Sequence, residues 1–169
     1  KEIANLFREK NCSLLTLKDA LMKFPDTYFN IDLKVKDVVQ DSIKVVTELN
    51  AFERVCFASF HSSHTEKVLH YNQNAIVSMG MKDVALFKFF KRHNKDIKII
   101  QIPLRWKGIK VLTRNLIQKA DKSNLLVHVW TVNDRDTINN LIDIGVDGIV
   151  TDEPELLMEV MKERDLISD

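Results

Sequence analysis

The stretch His128–Glu155, "HVWTVNDRDTINNLIDIGVDGIVTDEPE", carries an apolar run into Thr-Val-Asn-Asp and repeats that ending as Val-Thr-Asp one helix later. Leu125–Val132 is apolar at nearly every position, as a strand buried on both faces should be. Asn133-Asp134 stops it, and Asp134 or Asp136 can cap the helix that follows. In that helix Ile138, Leu141, Ile142 and Ile144 fall at helical spacing, and Gly145 suits the left-handed position that closes it. A short apolar strand, Gly148–Val150, then ends in Thr151-Asp152 before Glu153-Pro154 opens the last helix. Strand, helix and strand in about 30 residues make a βαβ unit with parallel strands. Both strands finish in small polar residues at their carboxyl ends, where α/β folds place their sites. Asn133 and Asp152 are therefore expected at one rim.

The same alternation extends upstream. Lys1–Asn11 and Leu15–Phe24 read as helices, the second with Thr16 as its cap and Asp19 in its first turn. Tyr28–Val35 is a strand of period two, and Asp37–Asn50 an amphipathic helix turning Val38, Ile43, Val46 and Leu49 inward. Arg54–Phe60 ("RVCFASF"), Ala75–Met79 and Ile97–Pro103 read as further strands, with helices at Ser63–Tyr71, Lys82–His93 and Thr113–Lys122. Lys110–Leu112 reads as a short strand extension. Strand and helix alternating throughout is the pattern of a parallel α/β fold. Five or six strands do not close a barrel of eight. Either the sheet is complete and open, or early strands are missing.

The 169 residues, 45 % of them hydrophobic, suffice for one domain with a sizeable core. A formal net charge of +1 gives no overall electrostatic reason to expect nucleic acid or an anionic membrane as partner. Cys12 and Cys56 sit apart among apolar neighbours and read as reduced core residues rather than a disulfide. No apolar run approaches the ~20 residues of a membrane span. The chain opens on Lys1 with nothing like a signal peptide, so the expectation is a start inside a longer protein; the compartment is left open, with the cytoplasm slightly favoured.

"NIDLK", Asn30–Lys34, is the first candidate for chemistry. On a strand Asn30, Asp32 and Lys34 share one face. Two readings stand: Asp32 as ligand to a hard cation beside a phosphate-binding Lys34, or a solvated edge-strand face with an ion pair. His61 and His64 in "HSSH" could share a helix face and a metal, but without partner ligands they read as solvated helix N-terminal residues. His70 and His93 are isolated, and His128 is expected in the core or facing a helix. Trp130, at the carboxyl end of its strand, could line a pocket or simply pack. "PLRWKG", Pro103–Gly108, reads as a charged loop around Trp106. No Gly-rich phosphate loop, nucleophile elbow or paired-cysteine site is present.

These motifs together resemble the glycerophosphodiester phosphodiesterase family. "HVWTVND…LIDIGVDGIVTDEPE" is similar to that family's C-terminal signature. "LLTLKDALMKFPDTYFNIDLK" resembles its segment leading to an Asn-Ile-Glu-Leu-Lys strand, and "RVCFASF" its Ser-Phe strand. "IQIPLRWKGIKVLTRNLIQKADKSNLLVHVWTVND" fits its later strands in order, so the resemblance covers nearly the whole chain. It implies a parallel (βα) TIM barrel of the phosphatidylinositol phospholipase C type, with residues 1–169 the C-terminal five or six strands of a single eight-strand domain. The implied activity is hydrolysis of glycerophosphodiesters to glycerol 3-phosphate and an alcohol. It requires a divalent cation (Mg2+ or Ca2+, with Mn2+ a further candidate) and a pair of histidines as general acid and base.

By match, a cation ligand falls on Asp32, an Asp where the family has Glu. Lys34 falls on the lysine of that motif, close to the phosphate or the metal site, and Trp130 on the aromatic around the glycerol. The upstream motifs that carry both catalytic histidines, a His-Arg-Gly strand and a His-Asp strand among them, have no counterpart here. His61 and His64 match neither. The implied expectation is an enzyme fragment, inactive alone, whose sheet edge is covered by the rest of the barrel or by a second copy. The alternative is a barrel remnant serving as a binding or interaction module.

Overall fold

A computed structural model describes residues 14–168; the expected helix Lys1–Asn11, and Cys12, lie outside the described residues. Helix α1 (Leu17–Lys23) opens on a capping box: Thr16 Oγ1 accepts from Asp19 N, and Asp19 Oδ2 accepts from Thr16 N, each at 3.1 Å. β1 (Phe29–Asp32) leads into α2 (Asp37–Glu48), and a 3-10 turn at Phe52–Arg54 feeds β2 (Val55–Ala58). There follow α3 (Ser62–Tyr71), β3 (Ile76–Val77), α4 (Met81–Phe90) and β4 (Ile99–Pro103). β5 (Arg105–Trp106) and β6 (Ile109–Lys110) come next, then α5 (Arg114–Asp121), β7 (Leu126–Trp130), α6 (Arg135–Asp143), β8 (Gly148–Ile149) and α7 (Pro154–Glu163).

β1, β2 and β3 pair in parallel, as do β4, β7 and β8. A parallel bridge between Ser78 and Ile99 joins the two sets, so the order across the sheet is β1-β2-β3-β4-β7-β8. Parallel strands laid side by side in chain order, with a helix on nearly every crossover, are barrel topology. Among the described residues no ladder returns from β8 to β1, and the barrel stays open.

Strand parity separates two faces. Val55, Phe57, Ile100, Ile102, Val127 and Val129 face the helices and are buried. On the concave side Asn30 and Asp32 are exposed, while Cys56, Gln101, His128 and Trp130 are half-buried. A closed barrel fills its interior with side chains from alternate strands all round; six strands leave that interior part-filled, which is why Leu126 remains 47 % exposed.

Two arginines tie elements together. Arg54 Nη2 donates to Leu21 O, in the last turn of α1, at 2.8 Å, and Nη1 to Phe24 O and Thr27 O, in the turn that follows, at 3.1 Å. Arg164 holds Asn139 and Asp143 on α6, fixing the end of α7 against it.

Three sequence expectations change. Val38 is 40 % exposed and Val39 is the buried residue, because α2 turns Val39, Ser42, Ile43 and Val46 inward. The strand expected over Tyr28–Val35 shrinks to Phe29–Asp32, the stretch that finds a partner in β2. The loop and the Lys110–Leu112 extension are instead an antiparallel hairpin, β5–β6. Its turn residues Lys107 and Gly108 take φ of 47° and 80°, the two positive values that a tight two-residue connection of matching twist requires.

Candidate functional site at the carboxyl rim

The carboxyl ends of β1, β2, β4 and β7 surround a small cleft lined by Asp32, Ser59, Phe60, Gln101 and Trp130. Parity and parallel direction carry Asp32 and Trp130 to this rim from strands nearly 100 residues apart in the chain. Lys34, two residues past Asp32 and beyond the end of β1, joins them along the adjoining groove. Its Nζ donates to Asp32 Oδ2 at 2.5 Å and lies 5.9 Å from the centre of the Phe60 ring. The Phe60 ring meets the rings of Trp130, edge-on, and Trp106, each with centroids 5.6 Å apart. The peptide between Trp130 and Thr131 is cis. The rim thus offers a carboxylate, an ammonium and an aromatic wall within one opening, a set suited to an anionic group attached to an apolar body.

Below the rim, Asn30 and Gln101 exchange amide hydrogen bonds across the concave side, Nδ2 to Oε1 at 3.3 Å and Nε2 to Oδ1 at 3.1 Å. Their partnership floors the cleft with neutral polar groups. Cys56 sits beside them, and burial pushes its thiol up to about 12. His128 faces this concave side too, its ring against Gly148, rather than the core or a helix as expected. Burial holds its imidazole below the usual histidine range, with Asp147 pulling the other way.

His61 is exposed, as expected, but His64 is buried at 6 % exposure, a correction to the solvated reading of the pair. Ser59 Oγ donates to Leu33 O at 2.8 Å, while His64 Nδ1 lies 3.1 Å from that oxygen and 3.0 Å from Ser59 Oγ. A carbonyl only accepts, so Nδ1 carries the proton and the ring braces the loop after β1. His64 is a structural pin. Asn133 and Asp152 do meet at the rim, but they bind each other: Asn133 Oδ1 accepts from Asp152 N at 2.9 Å, and its Nδ2 donates to Asp152 Oδ2 at 3.1 Å. That clamp, holding the ends of β7 and β8 together, answers why Asn-Asp and Thr-Asp recur one helix apart.

Among the described residues no three of His, Cys, Asp and Glu gather closely enough to hold a metal ion. Asp32 offers one carboxylate where a hard divalent cation takes about six oxygens or more. The residues present do not complete a cation site. Phe60 and Gln101 were not singled out as site residues from the sequence; their only local signal was their place on apolar strands.

The fold and its rim define the chain as a (βα) barrel protein with a cleft at the carboxyl ends of its parallel strands. Residues 1–156 match the glycerophosphoryl diester phosphodiesterase family, and the chain belongs to it. A probable glycerophosphodiester phosphodiesterase of Mycobacterium tuberculosis is 29 % identical over 162 residues, covering 90 % of this chain and 61 % of that protein. The chain thus spans about six-tenths of the length of that relative. A glycerophosphodiester phosphodiesterase structure from Parabacteroides distasonis superposes with a TM-score of 0.75 at 21 % identity, over 91 % of this chain and 66 % of that one. An Oleispira antarctica phosphodiesterase, solved with the product sn-glycerol-3-phosphate, superposes at 0.66 and 14 % identity, over 87 % of this chain and 61 % of that one. At these identities the solved structures speak for the barrel fold. Among the described residues no helix is long and apolar enough to cross a membrane.

Proposed function

We propose that this chain is the C-terminal part, residues 1–169, of a single barrel domain that hydrolyses glycerophosphodiesters to glycerol 3-phosphate and an alcohol. The observation that carries the reading is the meeting of Asp32, Lys34 and Trp130 at one cleft in a member of this family. In this reading Lys34 faces the phosphate, and Trp130 with Phe60 packs against the glycerol end. Asp32 is one ligand of a divalent cation, Mg2+, Ca2+ or Mn2+, which when bound would polarise the phosphoryl oxygen. The other ligands and the histidine pair come from strands outside this chain. Cleavage needs a positioned proton acceptor and donor, and no added cation replaces them. The cytoplasmic location remains part of the same proposal.

The test measures glycerol 3-phosphate released from glycerophosphocholine. The 169-residue chain is expected to release none with Mg2+, Ca2+ or Mn2+. In the complete protein Asp32→Ala is expected to abolish most turnover while leaving the circular dichroism spectrum unchanged. Metal-dependent turnover by the 169-residue chain would sink the reading and redirect attention to His61 and His64. The two sheet edges left unpaired among the described residues favour a second reading, a barrel remnant that binds another chain without catalysis. A stable dimer of the chain, with no turnover by the full-length natural protein, would support it.

A further inference from the structure

The net charge of +1 conceals a strong asymmetry. Residues 88–119 hold ten of the chain's 25 Lys and Arg but only one of its 24 acids, Asp96. Among the described residues none of those ten cations is ion-paired. Large apolar side chains stand exposed among them: Phe89 at 71 %, Phe90 at 69 %, Ile109 at 66 % and Trp106 at 39 %. Two contacts make one surface of these residues. Lys88 Nζ donates to Lys110 O at 2.7 Å and Val111 O at 3.1 Å, pinning the last turn of α4 to the hairpin, and Lys119 Nζ donates to Lys88 O at 2.7 Å.

The hairpin is itself two-faced. Trp106 pairs with Ile109 and Arg105 with Lys110, so the two apolar side chains share one face and the two cations the other, with Lys107 at the tip. It springs from the carboxyl end of β4, in the middle of the strand order, with β3 on one side and β7 on the other. Among the described residues the open edges lie at β1 and β8, so a strand added there would start about 10 Å or more away across the sheet and would not lie beside the hairpin.

We propose that the β5–β6 hairpin, with the adjoining end of α4, docks on an anionic phospholipid surface. Cations near such a surface are drawn by its negative potential, and an indole beside an aliphatic side chain suits the headgroup boundary. Single-stranded nucleic acid would also accept cations and aromatic faces, but Ile109 has no ring on which a base can stack. Because Trp106 touches Phe60, docking would bring the rim cleft to the lipid surface. The inference does not depend on turnover.

The test is sedimentation of the 169-residue chain with vesicles of phosphatidylcholine alone, or mixed equally with phosphatidylglycerol. Binding is expected to the mixed vesicles only, falling as salt is raised. Arg105→Ala with Lys107→Ala should weaken partitioning on the order of twentyfold, about fivefold for each cation. In a Trp130→Phe chain, the emission of Trp106 should shift blue on vesicle addition and be quenched by brominated lipid. This readout needs no substitution in the hairpin. Failure to sediment with anionic vesicles, an unmoved Trp106 emission, or displacement from vesicles by a single-stranded oligonucleotide that binds more tightly would each overturn the proposal.

Discussion

Gly80 caps α4 with φ of −73°, a value open to any residue, so its requirement is one of space. A Cβ there would lie 2.5 Å from the backbone nitrogen of Ser62 and 2.6 Å from Ser62 Oγ. The first turn of α3 rests on the start of α4 with no gap between them, and backbone cannot rotate away as a side chain can. Gly80→Ala is therefore expected to destabilise by about 1–3 kcal/mol, the range for overpacking. A lowered urea midpoint with an unchanged slope would register it. An unchanged midpoint would mean that α3 can withdraw without loss. The pinning of His64 by Ser59 and Leu33 O belongs to the same scale, since it fixes α3 from the other side.

At the scale of elements, ends decide more than interiors. Helix α5 has eight residues, too few to persist alone, and its start depends on Thr113, whose Oγ1 accepts from Leu116 N at 3.2 Å. Thr113→Ala is expected to cost about 1 kcal/mol, and Thr113→Ser far less, because serine keeps the accepting oxygen. Paired urea titrations of the two variants separate loss of the cap from loss of the methyl group. Thr16, Thr113 and Asp134 all cap as their sequence positions suggest, since a cap is read within four residues. The β5–β6 hairpin was not legible in this way. Its strands have two residues each, too short for a period, and Lys107 at positive φ gives no compositional signal.

At the scale of the whole molecule, opening the barrel leaves titratable groups on a half-buried concave face. Burial holds the His128 imidazole below its ordinary value of 6.5, with Asp147 opposing part of that effect. Burial also lowers His93, with Lys98 and Lys95 acting in the same direction. For both, the unfolded chain takes up its proton first. Their stabilisation is full above 6.5 and is lost as pH falls from there through the lower folded-state values. The thermal midpoint of the chain should therefore drop on acidification below that pH, and His128→Gln should flatten the drop. A His128→Gln midpoint that falls as steeply as wild type would remove His128 from the account.

The sequence by itself determined the alternation of strands and helices, their direction, the three side-chain helix caps and the rim to which Asp32, Lys34 and Trp130 belong. Each of these follows from periodicity or from contacts within a few residues, and parallel crossovers fix which strand ends lie together. Tertiary structure alone decided which rim residues spend themselves on one another, as Asn133 and Asp152 do. It also decided that Asn30 reaches Gln101 across 71 positions, that His64 is buried, and that Gly80 has no room for a methyl group. The cationic surface shows the same division: its charges are countable along the chain, but their exposure beside Trp106 and Ile109 follows from a hairpin and a helix end meeting in space. Local chemistry is written in neighbouring residues, whereas burial and partnership depend on packing segments far apart in the chain.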